Sequence, residues 1–183
     1  EVHHVPSPAG IDYERDGLHS SDPDLAIYVR PESGNNILIG SEDPTCDSQV
    51  WVDDPDDYDD VVSDAQWEAQ VLRLARRMPS LGVPNEKKGI VDLYDVSDDW
   101  IPIYDRTDLD GFYVAIGSSG NQFKNAPVAG YCMSELIDAI ENGHDHDADP
   151  LVVTGVYTGL EMDMGFYRRN REINANSSFS VNG

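Results

Sequence analysis

The sequence predicts an α+β fold, a mixed and mostly antiparallel sheet with flanking helices. Three observations carry that expectation. Two short apolar runs flank a turn-forming cluster, two amphipathic segments carry helix start signals, and strands and helices mix without strict alternation. With 183 residues and 39% hydrophobic content, the chain is long enough to bury a core.

The elements follow in order. Residues 1–22 read as loop, interrupted by Pro6, Pro8 and Gly10. Leu25 to Val29 reads as a strand, Glu32 to Asn36 as a turn and Ile37 to Gly40 as the returning strand of a hairpin. Val50 to Asp60 is an acidic connection. Ser63 with Gln66 three residues on forms a capping-box signature. Trp67, Val71, Leu74, Ala75 and Met78 then make one apolar helix face, which Pro79 ends. Gly89 to Val96 alternates as a strand, Ile101 to Tyr104 is a short strand, and Phe112 to Ile116 reads as a strand of the buried type. Pro127 suits the first turn of a helix whose apolar face is Val128, Cys132, Leu136, Ala139 and Ile140, closed by Gly143. Gly143 to Pro150 reads as an exposed acidic loop, and Leu151 to Gly183 shows little periodicity. No internal repeat is visible.

The charge is strongly one-sided. Thirty-five acids, 25 of them Asp, face 12 bases, for a net −23. Such a surface repels nucleic acid phosphates and anionic membrane faces, so neither is an expected partner. The acids are spread along the chain and Lys is scarce, the composition of cytoplasmic proteins in salt-accumulating halophiles. A cytoplasmic location is therefore expected, and no apolar run is long enough for a transmembrane helix. The opening residues carry no signal-peptide pattern, and a chain starting at Glu1 reads as a processed or truncated product. Cys46 and Cys132 are too few for a disulfide framework or a zinc site, and Cys132 reads as core.

Several metal-like or charged clusters are read without a site. His144 and His146 among aspartates suggest a solvated loop, His3 and His4 receive no role, and Asp53 to Asp60 lacks the Gly and terminal Glu of an EF-hand. No metal site is expected. Arg168, Arg169 and Arg171 read as local salt bridges, the alternative being an anionic substrate or partner.

Gly117-Ser118-Ser119-Gly120-Asn121-Gln122-Phe123-Lys124 lies between a strand and a helix. Glycine lets backbone approach a ligand, and the helix start offers free N–H groups and a positive dipole end. By itself this pattern fits many loops.

Three blocks in order add a resemblance. They are Tyr28-Val29-Arg30-Pro31-Glu32 with Ile37-Leu38-Ile39-Gly40, then Leu93-Tyr94-Asp95-Val96-Ser97-Asp98-Asp99-Trp100-Ile101-Pro102-Ile103, then Gly111 through Pro127. With this spacing the chain resembles the C-terminal part of the FAD-dependent D-amino acid oxidase family, on its sarcosine and dimethylglycine dehydrogenase side, over roughly Leu25 to Ile140. The resemblance implies FAD as cofactor, with Gly117, Ser119, Gly120, Asn121, Gln122, Phe123 and Lys124 against the flavin. It implies a catalytic role for Lys124 and Tyr94, and substrate contacts from Tyr28, Glu42 and Tyr94. Tyr94 is equally readable as a plain strand tyrosine. The implied division is a substrate-domain portion over 1–88, a last substrate-domain strand and flavin-facing strand-turn-helix over 89–143, and an acidic loop with irregular tail over 144–183.

Departures from the family shape the expectation further. No G-x-G-x-x-G is present, so the dinucleotide-binding half is expected elsewhere, in the same polypeptide or a second chain. Gln122 replaces the third glycine of the loop, which puts the backbone path there in question. Leu38 stands where sarcosine oxidases carry an oxygen-activating Lys, Glu42 where they carry a His, and Asp92 where they carry the covalent flavin Cys. Tyr94 stands where amino acid oxidases carry a carboxylate-binding Arg. The expectation is thus part of a dehydrogenase that oxidises a C–N bond of a small amine or N-methyl amino acid and passes electrons to an acceptor other than oxygen. The alternative is a non-catalytic interaction or regulatory subunit, or a degenerate remnant.

Overall fold

The computed structural model describes residues 1–181. Two compact units divide the chain, Glu1–Leu93 and Tyr94–Gly183. The α+β class holds, and every strand pair among the described residues is antiparallel.

The first unit is built on a five-stranded sheet. Its strands are β1 (Val2–Pro6), β2 (Ser20–Asp22), β3 (Ile27–Glu32), β4 (Asn36–Ser41) and β5 (Gly89–Ile90), in the order β2-β3-β4-β1-β5. The expected hairpin is β3–β4, with Tyr28 opposite Gly40 and Glu32 opposite Asn36. Its three-residue loop places Gly34 and Asn35 at positive φ, a conformation that Gly and Asn adopt more readily than other residues. A short helix α1 (Tyr13–Asp16) follows β1, and its first N–H donates to the Asn35 side chain at 2.8 Å.

Helix α2 (Asp64–Arg77) covers the sheet. Ser63 Oγ accepts from the Gln66 N–H at 3.2 Å, so the N-cap forms as the sequence indicates. The return arm of the capping box does not form, because the Ser63 N–H donates to Glu1 Oε2 at 3.0 Å. Trp67, Val71 and Leu74 meet Val5, Ile27, Val29, Ile37 and Ile39 in one buried cluster. Burial of this apolar area is the main stabilising term of the unit.

Two expectations are corrected here. Residues 1–22 are not loop, since β1 lies inside the sheet between β4 and β5. Its pattern was masked by His3, which is fully buried with Nδ1 2.8 Å from Gln70 Oε1 and its ring edge-on to Trp67. Further along, the strand expected over Gly89 to Val96 stops at Ile90. Beyond it the backbone serves another structure, because the Asp95 carbonyl accepts from Ser119 N–H.

The second unit holds a hairpin of β6 (Ile103–Arg106) and β7 (Tyr113–Ile116), a helix α3 (Ala126–Glu141), and a ribbon of β8 (Val152–Thr154) and β9 (Glu161–Asp163). Pro127 sits in the first turn of α3, as expected. Cys132 and Leu136 are buried on the predicted face, while Val128 is exposed. Strand β7 is not of the buried type. No residue of it is buried and Ile116 is half exposed, because a two-stranded ribbon has no second sheet neighbour to cover it. Tyr104, Cys132, Val153 and Met164 form the core.

The segment from residue 144 also differs from expectation. His146 is fully buried, not solvated, and its Nδ1 accepts from the Leu151 N–H at 3.0 Å. Asp147 takes Arg106 and Arg169, so arginines neutralise carboxylates that otherwise would stay in water. The tail is ordered through β8, β9 and a 3-10 turn at Met164–Tyr167. Residues 182–183 of that expected tail lie outside the described residues. Of the three tail arginines, Arg169 and Arg171 form salt bridges, though to the sequence-distant Asp105 and Asp99, while Arg168 donates to the Asp147 carbonyl. Among the described residues, no helix is long and apolar enough to cross a membrane and no metal-binding cluster is found.

Candidate functional site

Strand β7 ends at Ile116, and the glycine-rich loop begins at once. Gly117, Ser119 and Gly120 all have positive φ, at 71°, 49° and 79°. The loop is pinned by one residue that sequence reasoning quoted but gave no role. Asp95 accepts from the Gly117 N–H at 2.8 Å and from the Ser118 hydroxyl, and its carbonyl accepts from the Ser119 N–H at 3.1 Å. Burial raises the Asp95 carboxyl, but the Ser118 and Gly117 hydrogen bonds outweigh it and hold it below the usual range. The available signal was its place beside Tyr94 in the second block.

Ser119 is fully buried and bends into a region that L residues avoid. Its hydroxyl donates to the Gly117 carbonyl at 3.2 Å, which holds the turn. At Gly120 a glycine is required twice over. Its φ is 79°, and a Cβ there would stand 2.9 Å from the Tyr94 ring. Tyr94 therefore floors the loop while remaining 52% exposed.

Gln122 needs no glycine conformation, with φ −89° and ψ −5°. Its side chain turns into the protein. Oε1 accepts from the Tyr104 hydroxyl at 3.2 Å and from Asn125 Nδ2 at 3.0 Å, and Nε2 donates to Asn121 Oδ1. The backbone path is thus compatible with a side chain at this position. Asn121 Nδ2 is buried and has no hydrogen-bond partner among the described residues.

Phe123 and Lys124 lie in the 3-10 turn Phe123–Asn125 that leads into α3. Phe123 is almost fully exposed, and Lys124 is exposed. Among the described residues, Lys124 is the one cation of its unit without a hydrogen-bond or ion-pair partner. The α3 N-cap, Asn125, makes no side-chain cap. The positive end of a 16-residue helix therefore lies beside Lys124, although the Ala126 N–H already donates to the Phe123 carbonyl and Pro127 has no N–H. An exposed aromatic ring and an unpaired lysine beside the positive end of a helix suit a planar ligand with acceptor atoms along one edge, whereas the unpartnered Asn121 Nδ2 is itself buried.

Tyr28 and Glu42 belong to the sheet of the first unit. The Tyr28 ring covers Gly40 so closely that a Cβ there would stand 2.2 Å from it. The Ser21 hydroxyl donates to Glu42 Oε1, and the Glu42 N–H donates to the Ala26 carbonyl at 3.0 Å. Leu38 is buried in β4. An open groove of about 630 Å³ in this unit, lined by Leu25, Ala69, Leu72 and Arg73 among others, includes none of the predicted site residues.

Strand β7, a glycine-rich loop with left-handed backbone and the start of α3 thus follow one another directly. The model for FAD dependent oxidoreductases matches residues 2–136, and the chain belongs to that family, whose cofactor is FAD. No curated protein and no solved structure shows a significant match.

Proposed function

We propose that this chain supplies substrate-domain and flavin-facing elements of an FAD-dependent dehydrogenase acting on a small amine or N-methyl amino acid. The observation that carries the reading is the loop Gly117–Lys124, shaped by Asp95 and Tyr94 and leading into the uncapped start of α3. A dinucleotide-binding half, in the same polypeptide or a second chain, completes the cofactor site.

FAD, when bound, supplies acceptance of a hydride from the carbon beside the amine nitrogen. Lys124 and the positive end of α3 would hold the electron-rich edge of the flavin, supplying positive charge that would favour its reduced form. Phe123 offers an apolar face. Tyr94 and, in the first unit, Tyr28 and Glu42 are the proposed substrate contacts, Glu42 favouring a cationic amine. Leu38 supports a dehydrogenase, since an apolar residue gives no charge to stabilise forming superoxide. The net −23 supports a cytoplasmic protein of a salt-accumulating organism.

The test is anaerobic addition of N-methylglycine and of N,N-dimethylglycine to the flavin-loaded protein in high salt. Bleaching of the flavin bands, with dye reduction outpacing oxygen consumption, is the expected result. Flavin bands that no amine bleaches would favour a non-catalytic subunit. Circular dichroism through dialysis to low salt tests the halophile reading, which predicts unfolding.

A further inference from the structure

The family match ends at residue 136, yet residues beyond it pack against Tyr104, whose hydroxyl bonds the glycine-rich loop. Tyr104 of β6 is 8% exposed and its ring lies 5.2 Å from that of Tyr167, tilted by 37°. Tyr167 is braced in turn by Phe166 at 5.0 Å, edge to face. Met164, fully buried, closes the same core with Cys132 of α3. From this base the Tyr104 hydroxyl donates to Gln122 Oε1. Gln122 then reaches both sides of the loop, through Nε2 to Asn121 and through Oε1 to Asn125, the N-cap of α3.

We propose that Tyr104 and Gln122 are positioning residues for the cofactor-facing loop, and that the segment Met164–Tyr167 holds them in place. This rests on reading Gly117–Lys124 as the flavin loop. The glutamine side chain replaces backbone freedom with a tether, so the start of α3 and the Asn121 amide are fixed from the C-terminal segment. A hydroxyl-to-amide bond of this kind is worth enough to change an affinity about fivefold.

The experiment uses the FAD-loaded protein complete with its dinucleotide-binding half, and its Tyr104→Phe, Gln122→Gly and doubly substituted forms. Tyr104→Phe keeps the buried ring and removes the hydroxyl alone. FAD dissociation constants are read by recovery of free-flavin fluorescence, with the visible absorption envelope as a second readout. Tyr104→Phe should weaken FAD about fivefold and shift the visible bands. In the Gln122→Gly background the same substitution should change affinity by less than about twofold, because the tether is already gone. Tyr167→Phe, which keeps the stacked ring, should leave both readouts unchanged, and Tyr167→Ala should mimic Tyr104→Phe. Equal effects of Tyr104→Phe in both backgrounds, or none in either, would overturn the proposal. Gly120→Ala separates the two readings. If it leaves FAD affinity unchanged, the loop is not the flavin loop; if it weakens FAD while Tyr104→Phe does not, the positioning role alone falls.

Discussion

The two units carry similar charge and use it differently. Residues 1–93 hold 20 carboxylates and 7 cations, and residues 94–183 hold 15 and 5. In the first unit, a sheet and a helix bury a continuous apolar cluster, and Arg15 and Arg77 meet aspartates at the exposed rim. In the second, the apolar core is smaller and arginines reach buried carboxylates. Asp99 is 1% exposed and takes Arg171 together with the Asn174 and Ile101 N–H groups. Asp105 is fully buried and takes Arg169 through both backbone and guanidinium. Rim pairs contribute little, whereas a buried carboxylate that loses its partner is strongly destabilising. The first unit is thus vulnerable to cavities and the second to loss of charge partners. With its arginines committed to structure, the second unit keeps Lys124 as its one cation without a partner among the described residues.

That contrast breaks most sharply at Trp67. Trp67→Ala should cost the first unit about 3–5 kcal/mol. Hydrogen exchange resolved by segment should show lost protection in β1, β3, β4 and α2, with β6, β7 and α3 unchanged; loss in both units alike would refute separate cores. Next, Asp99→Asn should cost the second unit about 3 kcal/mol by leaving Arg171 unpaired. Burial raises the Asp99 carboxyl, but Arg171 and the two N–H groups pull it down to about 2, and Arg169 and Arg106 hold Asp147 at about 2. Both folded-state values lie below the ordinary value of 3.8, so their stabilisation is present above about pH 4 and is lost as pH falls toward 2. Urea midpoints across that window should fall for the native chain and flatten for Asp99→Asn. Ser63→Ala, which removes the α2 cap, should cost about 1 kcal/mol and touch the first unit alone. A change in α3 exchange would contradict it.

The smallest effect is shared. Burial pushes both His3 and His146 below the usual histidine value. The unfolded chain therefore binds their protons first, and stability falls as pH drops below about 6.5. His146→Asn keeps an acceptor for the Leu151 N–H and should flatten this slope in the second unit, leaving the His3 contribution to the first. An unchanged slope would mean that His146 is not the titrating group.

Legibility followed the range of each interaction. The hairpin turn at Gly34-Asn35, the Ser63 cap, the α2 face and the Pro127 start were readable because each is set within a few residues. Strand β1 was not, since its partners in β4 lie thirty or more residues away and its buried histidine looks polar in sequence. The loop Gly117–Lys124 was readable as a glycine-rich turn between a strand and a helix. Its pinning by Asp95 and its tether to Tyr104 were not, because both cross between elements.

The sequence by itself determined the class, the family, the local helix and turn signals and the acidity of the surface, all of which live in composition, short spacing and motif order. Tertiary structure alone decided that His146 is buried, that Gln122 points inward, that Arg169 and Arg171 staple distant carboxylates, and that Lys124 is left unpaired. Each of those depends on which distant chain segment arrives to satisfy a polar group, and desolvation sets the cost of leaving it unsatisfied.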